Sequence, residues 1–216
     1  MSFKALFLNC TLKRSPEVSN TQGLIDKVAA VLADLDVGSE TIRVTDYKVA
    51  FGVSSDEGDG DEWPSVLERV KECDILVIAM PIWFGVRSSV AQLVMERLDG
   101  TYAEGDPTSG QYPLYGKVGG VIVTGNEDGA HDCCANTLFN LTHLGCMIPP
   151  NVDCYWVGDA GPGPSYLAAG GDKHLYTNRT ARYMAHNLAW GARALCANPI
   201  DTNLKALDAE AKAVSR

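Results

Sequence analysis

Apolar and polar residues alternate along this chain in two distinct periods, and the period switches repeatedly. Residues 3–9 (FKALFLN) are apolar except for Lys4 and Asn9, as expected of a strand covered on both faces. Leu24, Ile25, Val28, Val31, Leu32 and Leu35 then recur at helical spacing, with Asn20 or Thr21 placed to cap that helix. Residues 40–45 (ETIRVT) alternate as a second strand would, and Val66, Leu67 and Val70 mark a second helix opened by Pro64 and Ser65. Residues 74–80 (DILVIAM) carry the strongest strand signal. Ser88 or Ser89 caps a third helix with Val90, Leu93, Val94 and Leu98 on one side. Strands at 118–124 and 152–157, helices over 132–144 and around 181–195, and a weakly amphipathic tail at 201–216 complete the pattern.

Strand and helix signals in strict alternation predict an α/β domain with a doubly wound parallel sheet and helices on both faces. The five apolar strand segments predict a five-stranded sheet. The 216 residues suit one domain, expected over 1–200, with 201–216 as a helical tail.

Composition narrows the function classes. With 27 acidic against 18 basic residues and a formal net charge of −9, the chain lacks the basic surface that nucleic-acid binding demands. No apolar run approaches the roughly eighteen residues of a membrane span. The N-terminus reads as a buried first strand and not as a signal peptide, so a cytoplasmic location is expected. Seven scattered cysteines without C-x-x-C spacing point to reduced, buried thiols; adjacent Cys133 and Cys134 suit packing at a helix start better than redox chemistry. Metal ligation is not expected, since Glu127, Asp128 and His131 lack a fourth ligand.

In an open parallel sheet, ligands bind beyond the carboxyl ends of the strands. Three loops there are unusual. The first, NCTLKRSPEVSNT, gathers Thr11, Ser19, Asn20 and Thr21 as hydrogen-bond donors, with Lys13 and Arg14 as cations, at a helix start. Free backbone N–H groups and the helix dipole make such a place suited to phosphate, although a capped turn with solvated cations has the same composition. The second, MPIWFGVRSS, offers the flat faces of Trp83 and Phe84 in a turn shaped by Pro81 and Gly85. The third, TGNEDGAHDC, has Gly125 and Gly129 for close backbone approach. A Walker loop and a G-x-G-x-x-G fingerprint are both absent, which excludes those two nucleotide sites.

An anion site, an aromatic loop and a glycine-rich loop on one sheet edge suit a flavin mononucleotide. The motifs T-L-K-R-S-P-E-x-S-N-T, A-M-P-I-W-F-G and V-T-G-N-E-D-G resemble those of the flavodoxin-like NAD(P)H-dependent FMN reductase superfamily, in order and spacing, from residue 4 to about residue 145. The resemblance implies a flavodoxin-like sheet of order 2-1-3-4-5. It also implies FMN as cofactor with NAD(P)H as reductant, and association as a homodimer or homotetramer. Thr11, Lys13, Ser19, Asn20 and Thr21 would surround the phosphate. Pro81, Ile82, Trp83, Phe84 and Gly85 would line the isoalloxazine and ribityl chain, and Thr124, Gly125, Asn126, Glu127, Asp128 and Gly129 would face the other ring edge. Many relatives have a shorter first loop with Arg near position 13 or 14, so both cations remain candidates for the phosphate. No motif is recognisable after Gly145, and the cysteine cluster of the iron–sulfur branch is missing.

The chemistry then belongs to the flavin, and no side-chain catalyst is expected. The expected activity is hydride transfer from NAD(P)H through FMN to a quinone, free flavin or small electrophile. The alternative is a flavodoxin that carries electrons without oxidising NAD(P)H, its acidic run DEGDGDE (56–62) docking a basic partner. A receiver-type signalling domain is disfavoured because Pro81–Ile82–Trp83 stands where a phosphorylatable aspartate is needed.

Overall fold

A computed structural model describes residues 2–215. In chain order the elements are β1 (Phe3–Asn9), α1 (Asn20–Ala33), β2 (Val37–Arg43), α2 (Trp63–Glu72), β3 (Ile75–Trp83), β4 (Val86–Arg87), α3 (Ser89–Asp99), β5 (Val118–Gly125), α4 (Ala130–His143), β6 (Asp153–Val157), α5 (Leu175–Ala197) and α6 (Leu204–Val214).

The sheet order is β2-β1-β3-β5-β6, with β4 paired only to β3. All pairings along the main path are parallel: Phe3 lies opposite Val37, Ala5 opposite Ile75, Ile75 opposite Val118, and Val121 opposite Asp153. Among the described residues the sheet therefore has six strands, one more than the periodicity predicts. The extra strand is a two-residue return, Ile82 facing Arg87 and Trp83 facing Val86. Two residues carry no readable period, so the sequence cannot announce it.

Alternate residues of each strand feed two cores. Leu6, Leu8, Leu76, Ile78, Met80 and Val123 pack against α2, α3 and α4; Ala5, Phe7, Val77, Ala79 and Ile122 pack against α1 and α5. Each fully buried Leu, Ile or Val contributes about 1.5–3 kcal/mol of transfer free energy, which is why β1, β3 and β5, apolar on both faces, occupy the middle.

Several predicted boundaries shift, β3 for instance running to Trp83 and not ending at residue 80. The second strand spans Val37–Arg43 and not 40–45, and Val44–Asp46 turns into a short 3₁₀ helix. On this edge strand only Val37 and Ile42 are buried, so its ends follow pairing with β1 and not its own apolar pattern. Ser19, not Asn20 or Thr21, caps α1: its side chain accepts a hydrogen bond from the Gln22 N–H at 3.1 Å. Ser88 caps α3 as expected, accepting from the Ala91 N–H. None of α6 is buried, although it is tied to the body through the Lys205 N–H, which donates to Ser109 O.

No helix among the described residues is long and apolar enough to cross a membrane.

Candidate functional site

Strand order reverses between β1 and β3, and the loops leaving their carboxyl ends diverge there. A cavity of about 530 Å³ opens at this point, between the ends of β1, β3 and β5 and the start of α1. Its volume falls within the range of about 300–1,000 Å³ usual for small-molecule sites.

Asn9, fully buried at the end of β1, organises the first wall. Its Nδ2 donates to Gln22 Oε1 (2.9 Å) and Ser19 Oγ (3.3 Å), and its Oδ1 accepts the Thr11 N–H (3.1 Å). The outer part of the loop is tethered to the end of β2. The Ser15 N–H and hydroxyl donate to the Asp46 carboxylate (2.8 and 2.6 Å), Arg43 donates to Glu17 O, and the Thr45 hydroxyl donates to Lys13 O. The hydrogen bonds from Ser15, with smaller help from Arg43 and Arg14, hold the Asp46 carboxyl below its ordinary range. Of the two cations, Lys13 lines the cavity and Arg14 does not.

The second wall is the β3–β4 hairpin. Phe84 (φ 50°) and Gly85 (φ 79°) both adopt positive φ, as a tight two-residue return requires. The turn leaves Trp83, which lines the cavity, half exposed, and Phe84 93% exposed. It is clamped to the third loop at two points. The Phe84 N–H donates to Glu127 Oε1 (3.0 Å), and Gly129 (φ 116°) lies so near Gly85 that a Cβ there would stand 2.1 Å from Gly85 O.

Of the residues expected at the site, Thr11, Lys13, Asn20, Thr21, Pro81, Ile82, Trp83, Thr124, Gly125, Asn126 and Glu127 line the cavity together. Ser19, Phe84, Gly85, Asp128 and Gly129 are not among the lining residues. Ser19 Oγ caps the helix, and Gly129 makes the hairpin contact. On the floor the Thr21 and Thr124 hydroxyls lie 3.0 Å apart and share a hydrogen bond.

The sequence reading missed a fourth wall: Gly161, Gly163, Ser165 and Tyr166 also line the cavity. They belong to the Gly- and Pro-rich stretch after β6. That composition signals a loop but cannot say where it lies.

The curious polar groups nearby have local explanations. Among the described residues no group of three or more His, Cys, Asp and Glu is arranged to hold a metal ion. His131 Nε2 is instead 2.9 Å from the Tyr155 hydroxyl, which is 3.2 Å from the Tyr176 hydroxyl. Cys133 and Cys134 are both buried; burial pushes the Cys133 thiol up to about 11 and that of Cys134 upward too, so neither is a ready nucleophile.

Comparisons with known proteins agree with this architecture. The divalent metal cation transporter MntH of Mycobacterium bovis is 45% identical over 200 residues, which are 89% of this chain but only 29% of that protein. The 8-demethyl-8-aminoriboflavin-5'-phosphate synthase of Streptomyces davaonensis is 42% identical over 215 residues, covering 95% of this chain and 83% of the synthase. The crystal structure of RosB with its bound intermediate 8-demethyl-8-formylriboflavin-5'-phosphate superposes with a TM-score of 0.93 at 41% identity, over 100% of this chain and 88% of that one. An NADH:FMN oxidoreductase shares the fold alone, with a TM-score of 0.61 at 15% identity over 92% of both chains. The model of the NADPH-dependent FMN reductase family matches residues 3–159. The chain belongs to that family and has its flavodoxin-like fold.

Proposed function

We propose that the cavity at the carboxyl edge of β1, β3 and β5 binds riboflavin-5'-phosphate, and that the protein passes hydride from NAD(P)H through it to a quinone, a free flavin or a small electrophile. The observation that carries this reading is the mixed lining of the cavity, with Thr11, Lys13, Asn20 and Thr21 from the β1–α1 region and Trp83 from the end of β3.

The donor chemistry fits the group. Thr11 and Thr21 offer hydroxyls, Asn20 an amide and Lys13 an ammonium, beside the first-turn N–H groups of α1, which have no intrahelical partner. Pro81, Ile82 and Trp83 would meet the ribityl chain and ring, with Thr124, Gly125, Asn126 and Glu127 on the other edge. Ser19, Phe84, Gly85, Asp128 and Gly129 would act one step back, by shaping the loops. When bound, the flavin supplies a two-electron carrier that accepts and returns hydride. The chain's own residues bind it, neutralise its phosphate and hold the β3–β4 hairpin against the ring; no side-chain nucleophile is required.

Anaerobic addition of NADPH to the FMN-loaded protein tests the reading. Bleaching of the visible band of oxidised flavin, restored by a quinone, is expected. An unchanged band in the presence of both nicotinamides would instead favour a flavodoxin-type carrier.

The likeness to RosB favours a second reading, in which the bound flavin is itself the substrate and is altered at its 8-position. Mass spectrometry of the flavin recovered after turnover separates the two: an unchanged mass fits a cofactor, and a mass that shows formyl or amino in place of the 8-methyl group fits a substrate.

Two further features belong to the proposal. Residues 1–200 form the flavin-binding domain and 201–216 an appended tail in a cytoplasmic enzyme, a reducing compartment suiting its six buried thiols. Self-association as a dimer or tetramer is supported by Tyr176, Tyr183 and Trp190, exposed at seven-residue spacing along α5. Light scattering reads the assembly state.

A further inference from the structure

Residues 158–170 run from β6 toward the turn at Gly171–Lys173, almost wholly beyond the family match, which ends at residue 159. They are held firmly at both ends. At the far end the Tyr166 ring is buried edge-on to Trp156, with centroids 5.6 Å apart. Leu167 packs so closely on α1 that a Cβ at Gly23 would lie 2.6 Å from its Cδ2, and the Leu167 N–H donates to Asn20 Oδ1 (3.0 Å). At the near end the Gly158 N–H donates to Gly125 O (2.9 Å), and the Gly161 N–H to Asn126 O (3.0 Å).

Between these anchors residues 159–165 are exposed, yet Gly161, Gly163 and Ser165 form a wall of the cavity. The Asn126 side chain spans the gap: its Nδ2 donates to two successive carbonyls, Gly163 O and Pro164 O, at 2.9 Å each. Both amide hydrogens are thereby used, so this side chain has no donor left for a ligand. Pro162 and Pro164 restrict the backbone and carry no N–H, which leaves the segment few other ways to bond back to the body.

We propose that residues 158–166 are a strap that retains the ligand and that Asn126 is its latch, a positioning residue that governs how fast riboflavin-5'-phosphate leaves. This rests on the flavin site proposed above. The strap sits beside the α1 start and the β5 end, so a ligand phosphate held by Thr11, Lys13 and Thr21 lies behind it. The Asn126 Nδ2 thus acts through the strap, and only Oδ1 of this side chain is left to face the ring edge.

The test pairs Asn126→Asp, which replaces two donors by acceptors facing two carbonyls, with Pro162→Gly/Pro164→Gly, which loosens the strap and leaves Asn126 in place. Hydrogen exchange of peptides covering 158–166 is measured on ligand-free protein, and FMN release by stopped-flow flavin fluorescence. Both variants are expected to exchange faster in the strap, with α4 and α5 unchanged. Asn126→Asp is expected to release FMN about tenfold to hundredfold faster, as the loss of two neutral hydrogen bonds implies, and the proline variant also faster, with association not slowed in either. Faster strap exchange with unchanged release would overturn retention. Faster release in Asn126→Asp alone, without faster strap exchange, would return Asn126 to a direct ligand contact and overturn the latch. Wild-type protein that takes up no FMN would defeat the flavin reading and the retention role with it, while exchange in the ligand-free protein still reports on the latch itself.

Discussion

Gly129→Ala probes the contact that seats the aromatic hairpin on the third loop. Two costs combine at this position. The backbone at φ 116° is one that side-chain-bearing residues rarely adopt, a strain of about 1–3 kcal/mol. The new methyl would also lie 2.1 Å from Gly85 O, 2.5 Å from Gly85 C and 2.7 Å from Gly85 Cα, all backbone atoms that no rotamer change can move. Relief requires the β3–β4 turn to retreat by about 1 Å, which stretches the Phe84–Glu127 hydrogen bond, worth roughly 1 kcal/mol. The sum is about 2–4 kcal/mol, lost in stability or taken up by a displaced hairpin and weaker flavin binding. Gly116→Ala is the control, because its φ of 82° is also positive but its Cβ would meet nothing within 4 Å. Urea unfolding of both variants, with FMN titration by fluorescence, makes the comparison. If the two lose equal stability, within about 0.5 kcal/mol, and bind FMN alike, the hairpin clamp as described is wrong.

Other expectations concern charge. Arg97 and Asp61 form a fully buried pair at 2.7 Å, and Arg97 also donates to Ala50 O and Ser54 O. Asp61→Asn should therefore cost about 3–5 kcal/mol in urea unfolding by leaving the guanidinium uncompensated. Arg69→Met, at a pair with Glu40 that is 42% and 44% exposed, should cost at most about 1 kcal/mol. Burial opposes ionisation of Asp61, but Arg97 and the N–H groups of Glu57, Ala50 and Trp63 outweigh it and hold the carboxyl well below its usual range. Its contribution is complete above the unfolded aspartate pKa of about 3.9 and drains away as pH falls below it. Acid unfolding should accordingly be steeper in wild type than in Asp61→Asn. Lys13→Met should weaken FMN by about 1 kcal/mol, roughly fivefold, while leaving riboflavin affinity unchanged, as read by fluorescence titration; equal losses for both ligands would remove Lys13 from the phosphate.

Local pattern was enough for the parts of this protein that local physics decides. The two-faced apolar runs of β1, β3 and β5 could only be central parallel strands, and the helical spacing after residue 20 could only be an amphipathic helix. Three loop compositions at the carboxyl ends of those strands therefore located the cavity. What each polar side chain does there was decided by partners far away in the chain. Asn20 and Asn126 read as ligand contacts, yet their side chains bond to a segment 147 and 37–38 positions distant. Ser19 read as a phosphate donor, and because buried Asn9 and the Gln22 N–H both donate to its oxygen, only its O–H is left to give. An amide or hydroxyl has the same identity whether it faces a ligand or a neighbouring backbone. The choice between those fates is made by which segments the fold brings within hydrogen-bond reach, and periodicity along the chain does not contain that. The strap after β6 is the clearest case: its glycines and prolines predict irregular backbone, and only packing of Tyr166 and Leu167 against the body turns that backbone into a wall of the site.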